Sequence, residues 1–351
     1  MTIVDNAVYV GGYRTADPDD LDETYFLLRQ RQGMAWIGLY RPDAGELRSV
    51  AEEFDLNHLA VEDALAGHQR AKLEHYGDTN FLVLRPARYL DDVEKVQFGE
   101  IHIFTGPDFV VTVRHAESPD LARVRRRMES QPDFLALGPD AVLYAILDQV
   151  VDEYEPVAAG LENDVDEIED ELFAADPGVS RRIYELSRQV IMFQRATAPL
   201  TGILQALRAG LPNRVPGPEL QDHFRDVLDH VLRLSERIAA FRALLQNALA
   251  VNAALVAQRQ NDEMRLLTES SIAEDLGVSR NTVREAFAEL AAERLVVRHP
   301  NRGVFVASLE AGDIHDVYTV RRAIEVSAIR GGGSPERVAA VRAAVEEGKA
   351  A

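Results

Sequence analysis

Between Glu162 and Glu171, seven of ten residues are carboxylates: Glu162, Asp164, Asp166, Glu167, Glu169, Asp170 and Glu171. Carboxylate oxygens are the donors that a hard cation such as Mg2+ takes. A run this dense lines more than one face of a helix, however, and reads first as solvated surface with a diffuse pull on divalent ions. A second group has the opposite character. Arg280, Asn281, Thr282 and Arg284 crowd the start of a helical stretch behind Ser279, and Arg302 stands in the turn His299-Pro300-Asn301-Arg302-Gly303. Such side chains bond phosphates and base edges. Enzyme chemistry finds little footing. The absence of cysteine excludes disulfides, thiolate zinc and iron–sulfur sites. The 9 histidines show no metal-ligand spacing with carboxylates, and His58, His68 and His75 read as ordinary core or surface residues. There is no Gly-x-Ser-x-Gly, and no phosphate-binding glycine loop follows a strand. The expectation is a protein that is not an enzyme.

The elements that would position these residues change character along the chain. Up to about residue 155, short apolar runs (Ala35–Tyr40, Phe81–Leu84, Ile101–Phe104, Phe109–Val113) alternate with stretches of helical spacing at Asp43–Phe54 and Ser118–Gln131. Strands mixed with helices predict a sheet covered by helices. From Ala141 to Arg265 the pattern predicts nearly unbroken helix, interrupted once, at the Pro/Gly turn of residues 211–218. The helix after that turn should run about 45 residues, or roughly 68 Å, which suits a stalk better than a globular core. A third unit begins at Thr268, and Gly331-Gly332-Gly333-Ser334-Pro335 predicts a flexible break near the end.

Charge follows the same division. The net charge is −20, yet residues 265–351 hold 12 Lys+Arg against 13 Asp+Glu, so almost the whole excess lies earlier. An acidic domain repels polyanions and draws divalent cations, whereas a near-neutral one can approach a phosphate backbone. Residues 1–13 lack the basic start and apolar centre of a secretion signal. No stretch approaches ~18 consecutive apolar residues. These features predict a cytoplasmic chain without a membrane span of its own.

Three segments carry a resemblance: His58–Leu65 with His68–Asp78, the acidic Glu162–Asp170, and Val251–Asn261. In this order, across about residues 5–270, the chain resembles the soluble domain and stalk of the CorA magnesium/cobalt transporter family. The resemblance implies an α/β/α sandwich, a long stalk helix and a funnel-shaped pentamer. It also implies Mg2+, or Co2+, bound between neighbouring subunits. Placed by that likeness, Asp226 is the stalk-side ligand and Asp91 or Asp92 its partner across the interface; the latter pair reads alternatively as a polar hairpin tip. In the family a pore helix begins shortly after the positions of Asn261 and Met264 and ends in Gly-Met-Asn. Here that motif is absent, so the chain is expected to sense a cation without conducting it.

A second resemblance takes over at the junction. Locally, Ile272, Ala273 and Leu276 form an apolar stripe, Gly277 stops the helix, and Ser279 caps the next. Val283, Ala286, Phe287 and Leu290 would face its core, leaving Arg280, Asn281, Thr282 and Arg284 on the side that meets a major groove. Leu295–Arg298 and Val304–Ala307 flank the basic turn as a wing. Residues 267–310 resemble the winged helix-turn-helix of GntR-type transcription regulators. The resemblance implies DNA contact through Arg280 and Arg284, assisted by Asn281, Thr282 and Arg302. Residues 317–325 look like the opening of a helical effector domain that the family carries much further. Two departures stand out: the stalk end, Gln258–Arg265, occupies the place of the family's first helix, and a two-fold DNA reader matches a five-fold stalk poorly.

The expected fold class is therefore α+β. A 1–155 α/β/α sandwich with a mixed sheet precedes 156–266 stalk helices, a 267–310 winged helix and a 311–351 effector fragment. Two functions remain open. One is a Mg2+-responsive, oligomeric transcription regulator. The other is a chimeric or truncated transporter subunit, spliced within Arg265–Ser270, that associates with intact CorA subunits and binds no specific DNA.

Overall fold

A computed structural model describes residues 3–115, 119–174, 178–210, 215–299 and 303–307. Contacts divide the chain into two units, Met1–Ala253 and Ala254–Ala351.

The first unit is built on nine strands: β1 (Ile3–Val10), β2 (Tyr13–Ala16), β3 (Met34–Tyr40), β4 (Lys72–Tyr76), β5 (Thr79–Leu84), β6 (Ala87–Leu90), β7 (Lys95–Phe98), β8 (Ile101–Thr105) and β9 (Phe109–Arg114). Seven of them make one sheet in the order β2-β1-β3-β9-β8-β5-β4. β3 and β9 pair in parallel and the other neighbours antiparallel, so the sheet is mixed as the sequence predicts. β5, β8 and β9 are buried almost end to end, the pattern of strands covered on both faces.

On one face lie α1 (Leu21–Arg31), α2 (Ala44–Glu53) and α3 (His58–Ala66). Their Tyr25, Leu47, Val50, Val61 and Ala64 pack with Ile37, Leu39, Phe81, Val83 and Val111. α2 starts on a capping box: Asp43 Oδ1 accepts from the Glu46 amide at 2.9 Å, and Glu46 Oε2 from the Asp43 amide at 3.1 Å. The other face takes α4 (Leu121–Glu129), α5 (Pro132–Leu135) and α6 (Pro139–Asp152). Here the buried Arg125 lies 4.2 Å from the Trp36 ring centroid and donates to the Trp36 carbonyl at 3.1 Å. The expected α/β/α layers are present.

Three long helices follow: α7 (Tyr154–Ala174), α8 (Val179–Ala209) and α9 (Pro218–Arg265). The single-interruption expectation is corrected: α7 ends at Ala174, and α8 begins at Val179 behind its N-cap, the turn residue Gly178. α9 has 48 residues. Its buried positions Phe224, Val227, Val231, Leu234, Ile238, Phe241, Leu245 and Ala248 step by three and four, the spacing of a coiled-coil seam. Polar contacts fix its neighbours: Arg237 reaches Glu155 and Glu162 on α7, and Arg242 reaches Gln194 on α8. Among the described residues, Pro218–Gln258 is the one helical segment long and apolar enough by composition to cross a membrane, with mean hydropathy 1.4 over its best window.

The second unit carries β10 (Leu266–Leu267), α10 (Glu269–Leu276), α11 (Arg280–Ala292), β11 (Val296–His299) and β12 (Gly303–Val306). Its sheet order is β10-β12-β11. Thr268 caps α10, Ser279 caps α11, and Gly277 ends α10 at a positive φ of 64° that suits glycine. The core is Ala273, Val283, Phe287, Val296 and Val304, with Leu267, Ile272 and Leu290 against it. Two expected core residues are corrected. Leu276 is 68% exposed and Ala286 is also exposed: both continue the helical stripe, but the small core does not extend to them. Arg302 and the 311–351 effector fragment lie outside the described residues.

Candidate metal-binding and nucleic-acid sites

The hairpin of β6 and β7 turns through one 3-10 turn, Asp91–Val93, which exposes both Asp91 and Asp92. Asp226 is exposed on the first half of α9, beside buried Phe224 and Val227. Among the described residues of one chain, these three do not form a cluster with a third ligand. Their carboxylates have neither ion pair nor hydrogen bond there. Exposed, unpaired carboxylates on separate elements can supply ligands to a hydrated Mg2+ from two faces of an interface, since that ion keeps several waters and needs few protein oxygens.

The residues that do come together in the chain are Glu94, Asp164 and Glu167, whose ligand atoms lie within 4.8 Å of one another. Sequence spacing hid this cluster, because Glu94 is on the hairpin and the others are on the acidic helix. A cation already sits among them. Arg182 of α8 reaches Glu94 at 3.0 Å, Glu167 at 2.5 Å and Glu171 at 2.5 Å, with Asp164 at 3.9 Å. Asp164 also accepts the Tyr89 hydroxyl proton. Tyr89 gets this close because Gly160 faces its ring: a Cβ there would lie 2.3 Å from the ring carbon Cδ1. Burial pushes the Asp164 carboxyl up to about 6, against the pull of Tyr89 and Arg182. With guanidinium and phenol as its partners, the cluster is a structural ion network, and its donor set does not fit a resident metal. The acidic helix is thus only partly the solvated surface expected of it: Asp164 is 6% exposed while Glu162, Asp166, Glu169 and Asp170 face solvent.

In the second unit, α11 places Arg280, Asn281, Thr282 and Arg284 at its exposed N-terminal half, as the sequence predicts. Thr282 is tied into the cap: its amide donates to Ser279 Oγ at 3.2 Å, and the two hydroxyls are 2.8 Å apart. Arg284 is engaged by a residue that sequence reasoning missed. Its Nε and Nη2 donate to Glu269 at 3.0 and 2.6 Å, a two-pronged pair, and Arg298 of the wing lies 3.6 Å from the same carboxylate. The Arg284 hydrogen bonds hold the Glu269 carboxyl below its ordinary range. The available signal was the 15-residue spacing that brings the first turn of α10 beside α11 in a helix-turn-helix.

A mixed sheet clad by helices, a coiled-coil-spaced helix of 48 residues and a small helical module with a three-stranded sheet define a chain with an α/β domain and a helix-turn-helix module. Residues 31–273 match the family described as CorA-like Mg2+ transporter protein, and the chain belongs to that family. Residues 248–306 match bacterial regulatory proteins of the gntR family, so the two matches overlap across the end of α9. YfjQ of Bacillus subtilis is 31% identical over 234 residues, 66% of this chain and 72% of its own length. The cobalt/magnesium transport protein CorA of Thermotoga maritima is 24% identical, over 70% of this chain and 71% of its own. The soluble domain of CorA from Methanocaldococcus jannaschii superimposes with a TM-score of 0.59 at 19% identity, covering 73% of this chain and 99% of that one. The chain thus holds a CorA-like soluble domain and a GntR-type helix-turn-helix domain.

The gntR match starts at residue 248, inside α9, and the contact boundary at Ala253 falls inside the same helix. The last turns of α9 therefore fall both within the gntR match and within the second contact unit.

Proposed function

We propose that this chain is a DNA-binding regulator whose assembly responds to Mg2+ or Co2+. Asp226, with Asp91 or Asp92 of a neighbouring copy, holds the ion across a homo-oligomeric, pentamer-like stalk interface. Arg280, Asn281, Thr282, Arg284 and Arg302 contact DNA from the winged helix. The observation that carries this reading is α9, a single helix from Pro218 to Arg265 that bears Asp226 near its start and runs at its end into the residues that match the gntR family. The unpaired state of the three aspartates supports the metal assignment, in contrast to the carboxylates that Arg182 already neutralises. The reading places the protein in the cytoplasm, where a winged helix meets DNA, and gives it no transport or catalytic role.

The test is a mobility shift at low salt with DNA from upstream of its own coding sequence, run with and without Mg2+, alongside light-scattering mass measurement. The expected result is a shift that changes with Mg2+, a larger mass with Mg2+, and loss of both metal effects in Asp226→Ala. No shift at low salt eliminates the regulator.

A second reading is a Mg2+-binding subunit that assembles with intact CorA subunits and binds no specific DNA. The near balance of 12 basic and 13 acidic residues after 264 favours it, since most DNA-binding modules are plainly basic. A Mg2+-dependent mass change without any DNA shift selects this second reading.

A further inference from the structure

A cavity of about 620 Å3 opens in the first unit between α8 and the strand ends, and its charge runs against that of the whole chain. Arg70 precedes β4, Arg85 follows β5 and Arg195 lies on α8; all three line it. Phe98, Met192 and Pro199 supply an apolar wall. Met192, Arg195 and Pro199 recur at three and four residues and so share one face of α8.

In a chain of net charge −20, a guanidinium has many carboxylates to choose from. Arg182, Arg237 and Arg284 each take at least one. Arg70 and Arg195 take none: among the described residues neither has an ion pair or a hydrogen bond, although both are exposed within the same cavity. Arg85 is anchored but not consumed. Its Nη1 donates to the Gln69 carbonyl at 3.1 Å and to Glu100 at 3.3 Å, and its guanidinium lies 5.9 Å from the Phe98 ring centroid. Glu100 is buried at 6% exposure and does not line the cavity; it is occupied by the Gln69 amide at 3.2 Å and lies 2.6 Å from His102 Nε2. Three guanidinium groups against one withdrawn carboxylate leave the cavity cationic. Planar forks of this kind match phosphate oxygens two at a time. The volume falls within the roughly 300–1,000 Å3 of small-molecule sites, and an apolar wall with a few convergent charges is their usual lining.

We propose that this cavity binds a nucleoside polyphosphate, its phosphates held by Arg70, Arg85 and Arg195 and its base laid against Phe98, Met192 and Pro199. The proposal is independent of the metal and DNA assignments, since it uses none of their residues.

The test is isothermal titration calorimetry of the full chain with ATP, inorganic pyrophosphate and adenosine in EDTA, which removes any metal bridge to carboxylates. ATP is expected to bind with a Kd below about 1 mM. Pyrophosphate is expected to bind at least ~10-fold more weakly, having lost the apolar wall, and adenosine not measurably. The double variant Arg70→Ala/Arg195→Ala should weaken ATP at least ~10-fold. Both side chains are exposed and unpaired, so its thermal melt should match the parent's. Absence of ATP binding up to ~10 mM, or ATP affinity unchanged in the double variant, overturns the site. Pyrophosphate binding as tightly as ATP overturns the assignment of the apolar wall.

Discussion

Arg182 in the first unit and Arg284 in the second are both held by carboxylates, yet the two regions use the arrangement differently. The Arg182 side chain is 18% exposed, works among four acidic residues, and closes the gap between the β6–β7 hairpin, α7 and α8. Arg284 is 54% exposed, is paired with one acid, and stands on the exposed N-terminal half of the second helix of the helix-turn-helix. The difference extends to the surrounding cores. On the helices that hold Arg182 and its partners, Tyr154, Leu161, Ile168, Ile183 and Phe193 are each at most 1% exposed. Beneath Arg284, among the described residues, five buried side chains make the core. In the first unit charge is sealed into the architecture, whereas in the second it is only parked on the surface and free to change partner.

The sharpest way to break this contrast is at the smaller core. Phe287 is its largest member, 7% exposed. Phe287→Ala should cost about 3–5 kcal/mol, a large fraction of what so small a module has. The expected outcome is two separate unfolding steps by circular dichroism and limited proteolysis. Residues 266–307 should melt or become cleavable below the temperature at which the α/β domain unfolds, while the α/β transition stays in place. A single, shared transition lowered as a whole would show that the two units do not unfold independently.

Next in size is Arg182→Ala. It leaves Asp164 buried without its guanidinium and sets Glu94, Glu167 and Glu171 against one another. The expected loss is about 2–3 kcal/mol in urea unfolding of the first unit, the cost of leaving buried polar groups unsatisfied. If the cluster were instead a resident metal site with Arg182 as a bystander, added Mg2+ would restore most of that loss.

These two sites differ in how far they could be read from residue order. β3, β5, β8 and β9 were legible because strands buried on both faces are unbroken apolar runs. The cap at Ser279 was legible, and the same rule, that a cap acts within three residues of itself, reaches those at Asp43 and Thr268, which sequence reasoning missed. Arg182 and Glu94 are 88 residues apart, and nothing local in either segment marks the pair. β10 is two residues long and exists only because β12 pairs with it at Leu266↔Phe305 and Leu267↔Val304. Helical spacing alone predicts Leu276 and Ala286 for the core, since it gives a stripe but not how far a core of five side chains extends along it. The break before Val179 was within reach, because Asp176-Pro177-Gly178 is a turn sequence inside a long helical pattern.

A smaller effect follows from protonation. Burial raises the Asp164 carboxyl from its ordinary 3.8 to about 6, so between those values the folded state binds a proton that the unfolded state has released. The contribution from this group is therefore fully present below about pH 4 and declines as pH rises through about 6. The urea midpoint of the first unit, measured at several pH values from 4 to 7.5, should carry this downward component. Asp164→Asn keeps a hydrogen-bond acceptor for Tyr89 and removes the titration, so the variant minus parent difference should grow across the same window. A difference flat with pH would mean that Arg182 keeps Asp164 ionised throughout.

The smallest expected change tests whether charge in the second unit is indeed free to change partner. Glu269→Gln keeps an acceptor near Arg284 and Arg298 but removes the negative charge that engages them. If Arg284 contacts phosphate or base, it must leave Glu269 or share it, and the carboxylate itself repels the backbone. The variant should bind DNA a few-fold more tightly at low salt, with a salt slope steeper by about one phosphate contact. Arg284→Ala gives the opposite sign, weakening binding roughly tenfold. Should Glu269→Gln weaken binding instead, the carboxylate aims Arg284 at its target, and the exposed pair is then held in place as firmly as the network around Arg182.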